Sequence, residues 1–196
     1  YDLMANAEQR VTADESDTAF SIGISGGRIV WTEWSVWIDP CFSNWCIFLY
    51  DLATNTQRLF ATNNQDSVIP VGIGISGDLM VWHDWRNRNT DIYLYDLATQ
   101  AEHRITVDPE SQNYPTISGR WIVWQDYRHG TADIYGCEYD RATGTCREQA
   151  ISVAPGQQRY PEISGTRVVW SDGRNGNWDV YSYDLTAHRE RPLTTN

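Results

Sequence analysis

An all-β fold of repeated four-stranded units is predicted by three observations. First, a pattern of Ile-Ser-Gly, three residues and Val-Trp occurs four times; its copies end at Trp31, Trp82, Trp124 and Trp170. Second, the copies recur at intervals of 42 to 51 residues. Third, each copy is followed by a block rich in Asp, Tyr and apolar residues, such as Asp133-Ile134-Tyr135. Repeats of this length and composition are typical of the blades of a β-propeller, so the sequence predicts a propeller or a segment of one.

The third repeat shows the four predicted strands in order. A short first strand covers 114–118, and Gly119 turns the chain into a second strand over 121–125. This second strand is almost wholly apolar, as expected of a strand that is buried on both faces between neighbouring blades. A polar turn leads to a third strand that begins at Asp133, and the fourth strand ends at Ser152.

The repeat divides the chain, which we predict to be one propeller domain, into a half-repeat and four full repeats. The full repeats are predicted at about 13–62, 63–107, 108–153 and 154–196. Residues 1–12 match 95–106, so they predict a two-stranded hairpin that lacks the two strands before it. We expect this hairpin to pair beside the first full blade or to meet another subunit, because exposed strand edges favour pairing. Three ways of completing the ring stay open: a five-bladed ring with one half-blade, a segment of a larger propeller, or completion by another chain.

The charge and the composition of the chain exclude several classes of function. Its net charge of −11 repels phosphate backbones and anionic lipid surfaces, so nucleic-acid binding is not expected. All 15 basic residues are Arg, and without a Lys amine Schiff-base chemistry is closed to this chain. No apolar run approaches the roughly 20 residues that a membrane-spanning helix needs, so membrane insertion is not expected either.

The four cysteines form two close pairs, Cys41 with Cys46 and Cys137 with Cys146. Two extra residues on each arm lengthen the last hairpin of the third repeat, and we predict that Asp140 lies opposite Thr143 and Cys137 opposite Cys146. Opposed cysteines on antiparallel strands have the separation that a disulfide needs. Zinc binding is the alternative, but cysteine pairs without nearby His make a poor zinc site. Two disulfides predict an oxidising compartment: secreted, periplasmic or cell-surface.

The turn after the second strand carries a longer pattern. It reads Trp-x-Asp-x-Arg-(Asn/His)-Gly-x-x-Asp-Ile-Tyr-x-Tyr-Asp-Leu-x-Thr, and it begins at Trp170 and, less perfectly, at Trp82 and Trp124. This pattern resembles the TolB-type propeller repeat, which also builds propeller domains of dipeptidyl-peptidase-like proteins and of long microbial surface proteins. The resemblance covers essentially the whole chain and implies a binding or scaffolding surface. The first repeat departs most, since Glu33 replaces the first Asp, the Arg is missing and Cys46 replaces the second Asp.

Three repeats share a polar set in this turn. The sets are Asp84, Arg86 and Asp91; Asp126, Arg128 and Asp133; and Asp172, Arg174 and Asp179. A repeated ligand or calcium site is one interpretation. The other is a structural clamp that orders the turn through charge-assisted hydrogen bonds, and recurrence with the period of the fold favours it. We therefore predict no metal site here.

Residues that vary between the repeats are better candidates for binding. Three positions after the core tryptophan, the first three repeats carry Trp34, Trp85 and Tyr127, whereas the fourth carries Gly. Together with Trp37 and Trp45 from an insertion in the first repeat, these side chains are candidates for an aromatic platform that binds a sugar ring or a protein partner. The alternative interpretation is that they pack over the ends of the blades.

Residue patterns for catalysis are sparse. The four histidines stand in different repeat contexts, and the sequence has neither a Gly-x-Ser-x-Gly elbow nor a metal-type His pair. A glycosidase-type carboxylate pair stays open. We predict a non-enzymatic chain without a cofactor, which serves as an extracellular or cell-surface module for protein binding or self-assembly. Two alternatives remain: a lectin-like propeller that binds a glycan, and a propeller domain detached from a larger hydrolase.

Overall fold

The computed structural model describes residues 8, 11, 18–35, 44–60 and 71–195. Within these residues, sixteen strands form four antiparallel sheets, each of four strands that are consecutive in the chain. The first blade contains β1 (Thr18–Ser25), β2 (Arg28–Ser35), β3 (Asn44–Asp51) and β4 (Thr56–Phe60). The second contains β5 (Val71–Ser76), β6 (Leu79–Asp84), β7 (Asp91–Asp96) and β8 (Ala101–Arg104). The third contains β9 (Gln112–Ser118), β10 (Trp121–Asp126), β11 (Asp133–Asp140) and β12 (Thr145–Ser152). The fourth contains β13 (Gln158–Ser164), β14 (Arg167–Asp172), β15 (Asp179–Asp184) and β16 (Arg189–Pro192).

The all-β fold and the four-stranded units agree with the sequence analysis, whereas the exact bounds of the repeats stay a prediction. A tight turn joins the first two strands of each blade. In the third blade Ser118 pairs with Trp121, which leaves Gly119 and Arg120 as a two-residue turn. Gly119 has a φ of 59°, in the left-handed region that glycine adopts without steric cost. The glycine of the Ile-Ser-Gly pattern is therefore explained by the geometry of this turn.

Successive blades pack face to face, and the core lies between them. The first strands contact one another in chain order: β1 with β5, β5 with β9, and β9 with β13. The core tryptophans lie at these interfaces; Trp124, for example, is fully buried in a cluster with Val81 and Ile92 of the second blade. The second, third and fourth blades thus each depend on the blade before them to cover their core tryptophan.

The predicted disulfide between Cys137 and Cys146 is confirmed, and its Cα atoms are 5.5 Å apart. The predicted register is wrong. Cys146 pairs with Tyr139 and Cys137 pairs with Glu148, so the two cysteines lie diagonally across β11 and β12 rather than opposite each other. The twist of antiparallel strands brings one set of diagonal neighbours close enough to bond.

The error in register comes from the length of the turn. Asp140 pairs with Thr145 instead of Thr143, which leaves a four-residue turn. The second blade has a turn of the same length, because Asp96 pairs with Ala101. The extra residues therefore extend both arms as predicted while the turn keeps the length that it has in the other blades.

The other predicted disulfide and the predicted half-repeat lie mostly outside the described residues. Cys46 is disulfide-bonded, and its predicted partner Cys41 is not among the described residues. Of residues 1–12, only Glu8 and Val11 are described, and Val11 packs against the cluster of Trp31, Phe48 and Tyr50 in the first blade. The pairing of that hairpin stays a prediction. No helix long and apolar enough to cross a membrane occurs in the described part of the chain.

Candidate functional site

The strand directions bring several connections to one end of each blade. In the third blade, Asp126 at the end of β10 pairs with Gln112 at the start of β9 and with Asp133 at the start of β11. The Ile-Ser-Gly turn lies at the opposite end of the same strands. We call the first end the mouth end and the second the turn end.

A groove of about 480 Å³ runs along the first strands of all four blades. It is lined by residues 21–24, 72–75, 114–117 and 160–163. Because successive side chains of a strand point to opposite faces, Pro115 and Pro161 are buried, whereas their neighbours Tyr114 and Tyr160 are exposed. One face of each first strand is therefore open to a ligand.

Each first strand bulges at the mouth end. The bulged residues have positive φ angles: 42° at Ser21, 62° at Gly72, 53° at Tyr114 and 54° at Tyr160. The pairing with the second strand shifts at the same point in every blade. Glycine adopts this conformation freely, whereas a bulky side chain there costs about 1–2 kcal/mol.

The preceding blade holds the backbone of both tyrosines. The Tyr114 N–H donates to Nδ1 of His83 at 3.2 Å, and the Tyr160 N–H donates to Oε1 of Gln125 at 3.3 Å. His83 and Gln125 occupy the same position, directly after the core tryptophan of their blades. Burial lowers the pKa of His83 to about 4, so at neutral pH its ring is uncharged and Nδ1 can accept this bond.

Tyr114 and Tyr160 form an exposed aromatic pair. Their rings meet edge to face with centroids 5.6 Å apart, and they are 42% and 60% exposed. This pair is not among the residues predicted from the sequence, which belong to the turn after the second strand and to the insertion of the first repeat. The available signal was a Tyr-Pro dipeptide in the third and fourth repeats, where the first two repeats have Ser-Ile and Gly-Ile.

The described members of the predicted aromatic platform lie at the same end of the blades. Trp34 is 36% exposed and Trp85 is 51% exposed, whereas Tyr127 is half-buried and its hydroxyl accepts from Nε2 of Gln125 at 2.6 Å. Trp37 and the side chain of Trp45 lie outside the described residues. The binding role of these residues stays a prediction.

The turn at the mouth end is built around the core tryptophan. Each indole N–H donates to the carboxylate two residues later, as Trp124 does to Asp126 at 2.9 Å and Trp31 does to Glu33 at 2.8 Å. The corresponding bonds in the second and fourth blades are Trp82 to Asp84 and Trp170 to Asp172. Glu33 thus fulfils in the first blade the hydrogen-bonding role that Asp has in the others.

The arginine of the turn pairs with two carboxylates and a ring. Arg128 donates to Asp126 at 2.7 Å and to Glu148 at 2.6 Å, and its guanidinium lies 4.0 Å from the ring centre of Tyr135. These hydrogen bonds, the one to Asp126 first, raise the pKa of Arg128 above its usual value. Oδ2 of Asp133, the predicted second carboxylate of the clamp, lies 2.7 Å from Nδ1 of His129 instead.

The second and fourth blades repeat this arrangement. Their sets are Asp84, Arg86, Glu102 and Tyr93, and Asp172, Arg174, Glu190 and Tyr181. Burial raises the pKa of Asp172, but hydrogen bonds from Arg174 and Trp170 outweigh it, so the pKa lies below its usual value. The second predicted carboxylates bond elsewhere: Asp91 with Asn87 and Arg104, and Asp179 with Thr194. The structural role of these clamps stays a prediction.

The groove has one formal charge. Among the described residues that line it, only Glu162 is charged at neutral pH, and Oγ1 of Thr116 donates to Oε2 of Glu162 at 3.3 Å. Thr116 and Glu162 stand two residues after Tyr114 and Tyr160, so all four face the groove. The third and fourth blades thus line their side of the groove with aromatic and acceptor groups.

The histidines do not converge. His83 packs against Tyr114, and the other three lie beside residues of their own or the next blade: His103 beside Tyr139, His129 beside Asp133 and His188 beside Tyr183. In the described part of the chain, no group of three or more His, Cys, Asp or Glu side chains is placed to hold a metal ion.

Comparison with known proteins supports the fold. No family model and no curated protein matches this chain. Among solved structures, TolB from Acinetobacter baumannii is 20% identical with a TM-score of 0.69, over 95% of this chain and 45% of that one. The chain has the fold of a TolB-type β-propeller.

Two other solved structures show how widely this fold occurs. The β-propeller domain of the Trilobed protease from Pyrococcus furiosus is 12% identical with a TM-score of 0.65, over 94% of this chain and 59% of that one. A chain of a nidogen/laminin complex is 16% identical with a TM-score of 0.59, over 91% of this chain and 64% of that one. This chain therefore spans less than two thirds of the length of each of these TolB-type or related propellers.

Proposed function

We propose that the chain is a non-catalytic binding module that holds a segment of a protein partner at the mouth end of its groove. The observation that carries this proposal is the exposed pair of Tyr114 and Tyr160. Both side chains are attached to strained backbone, and both open into the groove.

The fold itself does not need tyrosine at these positions. The first two blades form the same bulge with Ser21 and Gly72. Unusual backbone conformations that the surrounding structure enforces are typical of functional sites. Exposed tyrosines also provide rigid contact area with a polar tip, which is why they are common at binding surfaces.

The chemistry of the groove favours a partner segment that carries a cationic side chain. Tyrosine rings attract an ammonium or guanidinium group, and the carboxylate of Glu162 stands beside the pair. The net charge of −11 would draw such a segment towards the chain. The likeness to a chain of a nidogen/laminin complex supports protein binding as a use of this fold.

The disulfide supports a place for this module outside the reducing cytoplasm. Cys137 and Cys146 are bonded, and such bonds persist in secreted, periplasmic and cell-surface proteins. Self-assembly into a larger structure fits the same compartment and the same fold.

Carbohydrate binding is the second candidate. Trp85 and Trp178 are 51% and 53% exposed at the mouth end, and flat aromatic faces of this kind suit the apolar faces of sugar rings. A third candidate, a propeller domain of a hydrolase, is supported by the likeness to the propeller domain of the Trilobed protease. A gene that encodes a Ser-hydrolase domain after this propeller would select it.

The test pairs a peptide library with a variant that the fold tolerates. A displayed peptide library is selected for binding to the chain. The affinity of each selected peptide is then measured for the original chain and for the double variant Tyr114→Gly, Tyr160→Gly. We expect Arg-rich peptides whose affinity falls at least about tenfold, since two aromatic contacts are worth over 1.4 kcal/mol. Glycine suits the positive φ, so the melting temperature should not fall. Leu52→Ala, at the turn end, is the control and should leave affinity unchanged.

A library that yields no binder, or binders that ignore the double variant, would contradict the proposal. A glycan array tests carbohydrate binding, the second candidate function. Glycan binding that Trp85→Ala abolishes, with no peptide binding, would select the carbohydrate function instead.

A further inference from the structure

The interfaces that the second and third blades make with the next blade repeat the same apolar contacts. Each of these two blades presents a Val from its second strand, an Ile from its third strand and an Ile at or directly after the end of its fourth strand. In the second blade these are Val81, Ile92 and Ile105, and in the third blade they are Val123, Ile134 and Ile151; none is more than 7% exposed. The next blade covers them with its first strand and its core tryptophan.

A repeated hydrogen bond accompanies these contacts at the turn end. The serine of each Ile-Ser-Gly turn accepts from the backbone N–H of the glycine in the next turn. The three bonds are Ser25 with Gly77 at 3.1 Å, Ser76 with Gly119 at 2.8 Å, and Ser118 with Gly165 at 2.9 Å. This inter-blade bond accounts for the serine of the repeated pattern.

The fourth blade presents the same set without a neighbour. Val169 is half-buried, Val180 is 40% exposed and Leu193 is 49% exposed, although their counterparts in the second and third blades are buried. Within the described residues Ser164 has no next turn from which to accept, and Ser171 stands where His83 and Gln125 hold the next bulge. The face has the acceptors and apolar side chains of an inter-blade interface, and it is open.

We propose that this face of the fourth blade is a docking surface for a further blade of the same repeat type. The occupant is a four-stranded sheet with three features. The N–H of its turn glycine bonds Ser164, the N–H of its bulge bonds Ser171, and the apolar face of its first strand and core Trp covers Val169, Val180 and Leu193.

The first blade of a second copy is the less suitable occupant. A further blade must offer an uncovered tryptophan face, because Trp124 and Trp170 make that contact at the existing interfaces. In the first blade Trp31 and Phe48 are each only 2% exposed, and Val11 already packs against them. The inter-blade contact at that end is therefore partly occupied within one copy.

The experiment extends the full chain by a fifth repeat. A second copy of residues 154–196 is joined directly after Asn196, and thermal unfolding and hydrogen exchange are compared with the original chain. We expect the appended strands to be protected from exchange and the melting temperature to rise by roughly 5 °C or more, as for a new buried interface of a few kcal/mol. Val180→Arg in the original fourth repeat of the extended chain should abolish both effects.

A matched control is Val107→Arg, because Val107 is 70% exposed in a loop away from this face. In the extended chain, Val107→Arg should leave both the protection of the appended strands and the rise in melting temperature unchanged. Two results would overturn the proposal. One is an appended repeat that exchanges freely and leaves the melting temperature unchanged. The other is a dimer of the original chain in sedimentation that Val180→Arg dissociates, which would assign the face to a second copy.

Discussion

The turn end and the mouth end of the blades follow different rules. At the turn end, corresponding positions carry the same residues and make the same bonds: Ser76 with Gly119, and Ser118 with Gly165. At the mouth end, the bulge has one backbone conformation in all four blades but carries Ser, Gly, Tyr and Tyr. The backbone at both ends is thus set by the fold, while the side chains at the mouth end differ from blade to blade.

This difference separates two kinds of aromatic residue. The core tryptophans are buried, and each is bonded to a carboxylate of its own turn, so they belong to the repeating contacts. Trp85, Tyr114 and Tyr160 belong to the variable positions, and their rings reach solvent. Substitutions in the first group should therefore act on stability, and substitutions in the second group on binding.

The largest expected effect is that of Trp124→Ala. Trp124 is fully buried between the second and third blades, so its removal leaves a cavity and takes one hydrogen-bond donor from Asp126. We expect a loss of about 3–5 kcal/mol of unfolding free energy, measured by denaturant titration.

Trp85→Ala is the matched comparison, since the same residue type is half exposed at the mouth end. It should cost less than about 1 kcal/mol. Equal losses for the two variants would show that Trp85 is part of the core packing and would remove it from the candidate binding residues.

The repeated residues explain how much of the fold could be predicted. The period and the Ile-Ser-Gly turn predict the strands, because turns and strand pairing are local properties. The register of the disulfide failed because it depends on the turn length, and Asp140 has four residues before its partner where two were expected. The extra residues lengthen both arms of the hairpin, but they do not show how many residues the turn contains.

The candidate site was harder to predict than the fold. Tyr114 reaches the groove because its strand bulges and because His83 of another blade holds its N–H. The bulge arises within the hairpin of β9 and β10, whereas the bond from Tyr114 to His83 joins residues that are 31 positions apart, so the second cause depends on how the blades pack. The predicted platform followed from alignment of the repeats alone, and its described members Trp34, Trp85 and Tyr127 are not among the residues that line the groove.

A smaller loss is expected for Arg128→Ala, at the mouth end but among the repeating contacts. Its removal leaves the buried carboxylate of Asp126 without its cation and uncovers the ring of Tyr135. Because the guanidinium is 20% exposed, we expect roughly 2 kcal/mol of lost stability rather than the larger cost of a fully buried pair. Thermal or denaturant unfolding would measure it.

Arg120→Ala is the control for the effect of charge. Arg120 pairs with Glu138 on the surface, where both side chains are about half exposed, so its loss should cost less than about 1 kcal/mol.

Peptides selected by the library should bind Arg128→Ala as they bind the original chain. Lost peptide affinity with unchanged stability would show that the repeated turns are ligand sites.

The last effect, which is close to zero at neutral pH and grows as the pH falls, is expected at His83, which connects the repeating contacts to the variable positions because it holds the backbone of Tyr114. Its pKa is lowered from 6.5 to about 4 in the folded chain, because burial disfavours the charged ring. The unfolded chain therefore binds more protons between these values, and the stability contribution of neutral His83 is full above pH 6.5 and is lost as the pH falls towards 4. For a shift of this size the loss between pH 7.5 and pH 5 is about 2 kcal/mol.

His83→Gln tests this contribution without removing the acceptor. Gln125 occupies the same position in the third blade and accepts the N–H of Tyr160, so glutamine at position 83 should accept the N–H of Tyr114. We expect the variant to be close to the original chain in stability at pH 7.5 and more stable by about 2 kcal/mol at pH 5. Urea unfolding at both pH values measures the difference, and the other titrating groups cancel because both chains share them. A stability difference that does not change with pH would mean that His83 titrates normally in the folded chain, and therefore that water reaches the ring beneath the tyrosine pair.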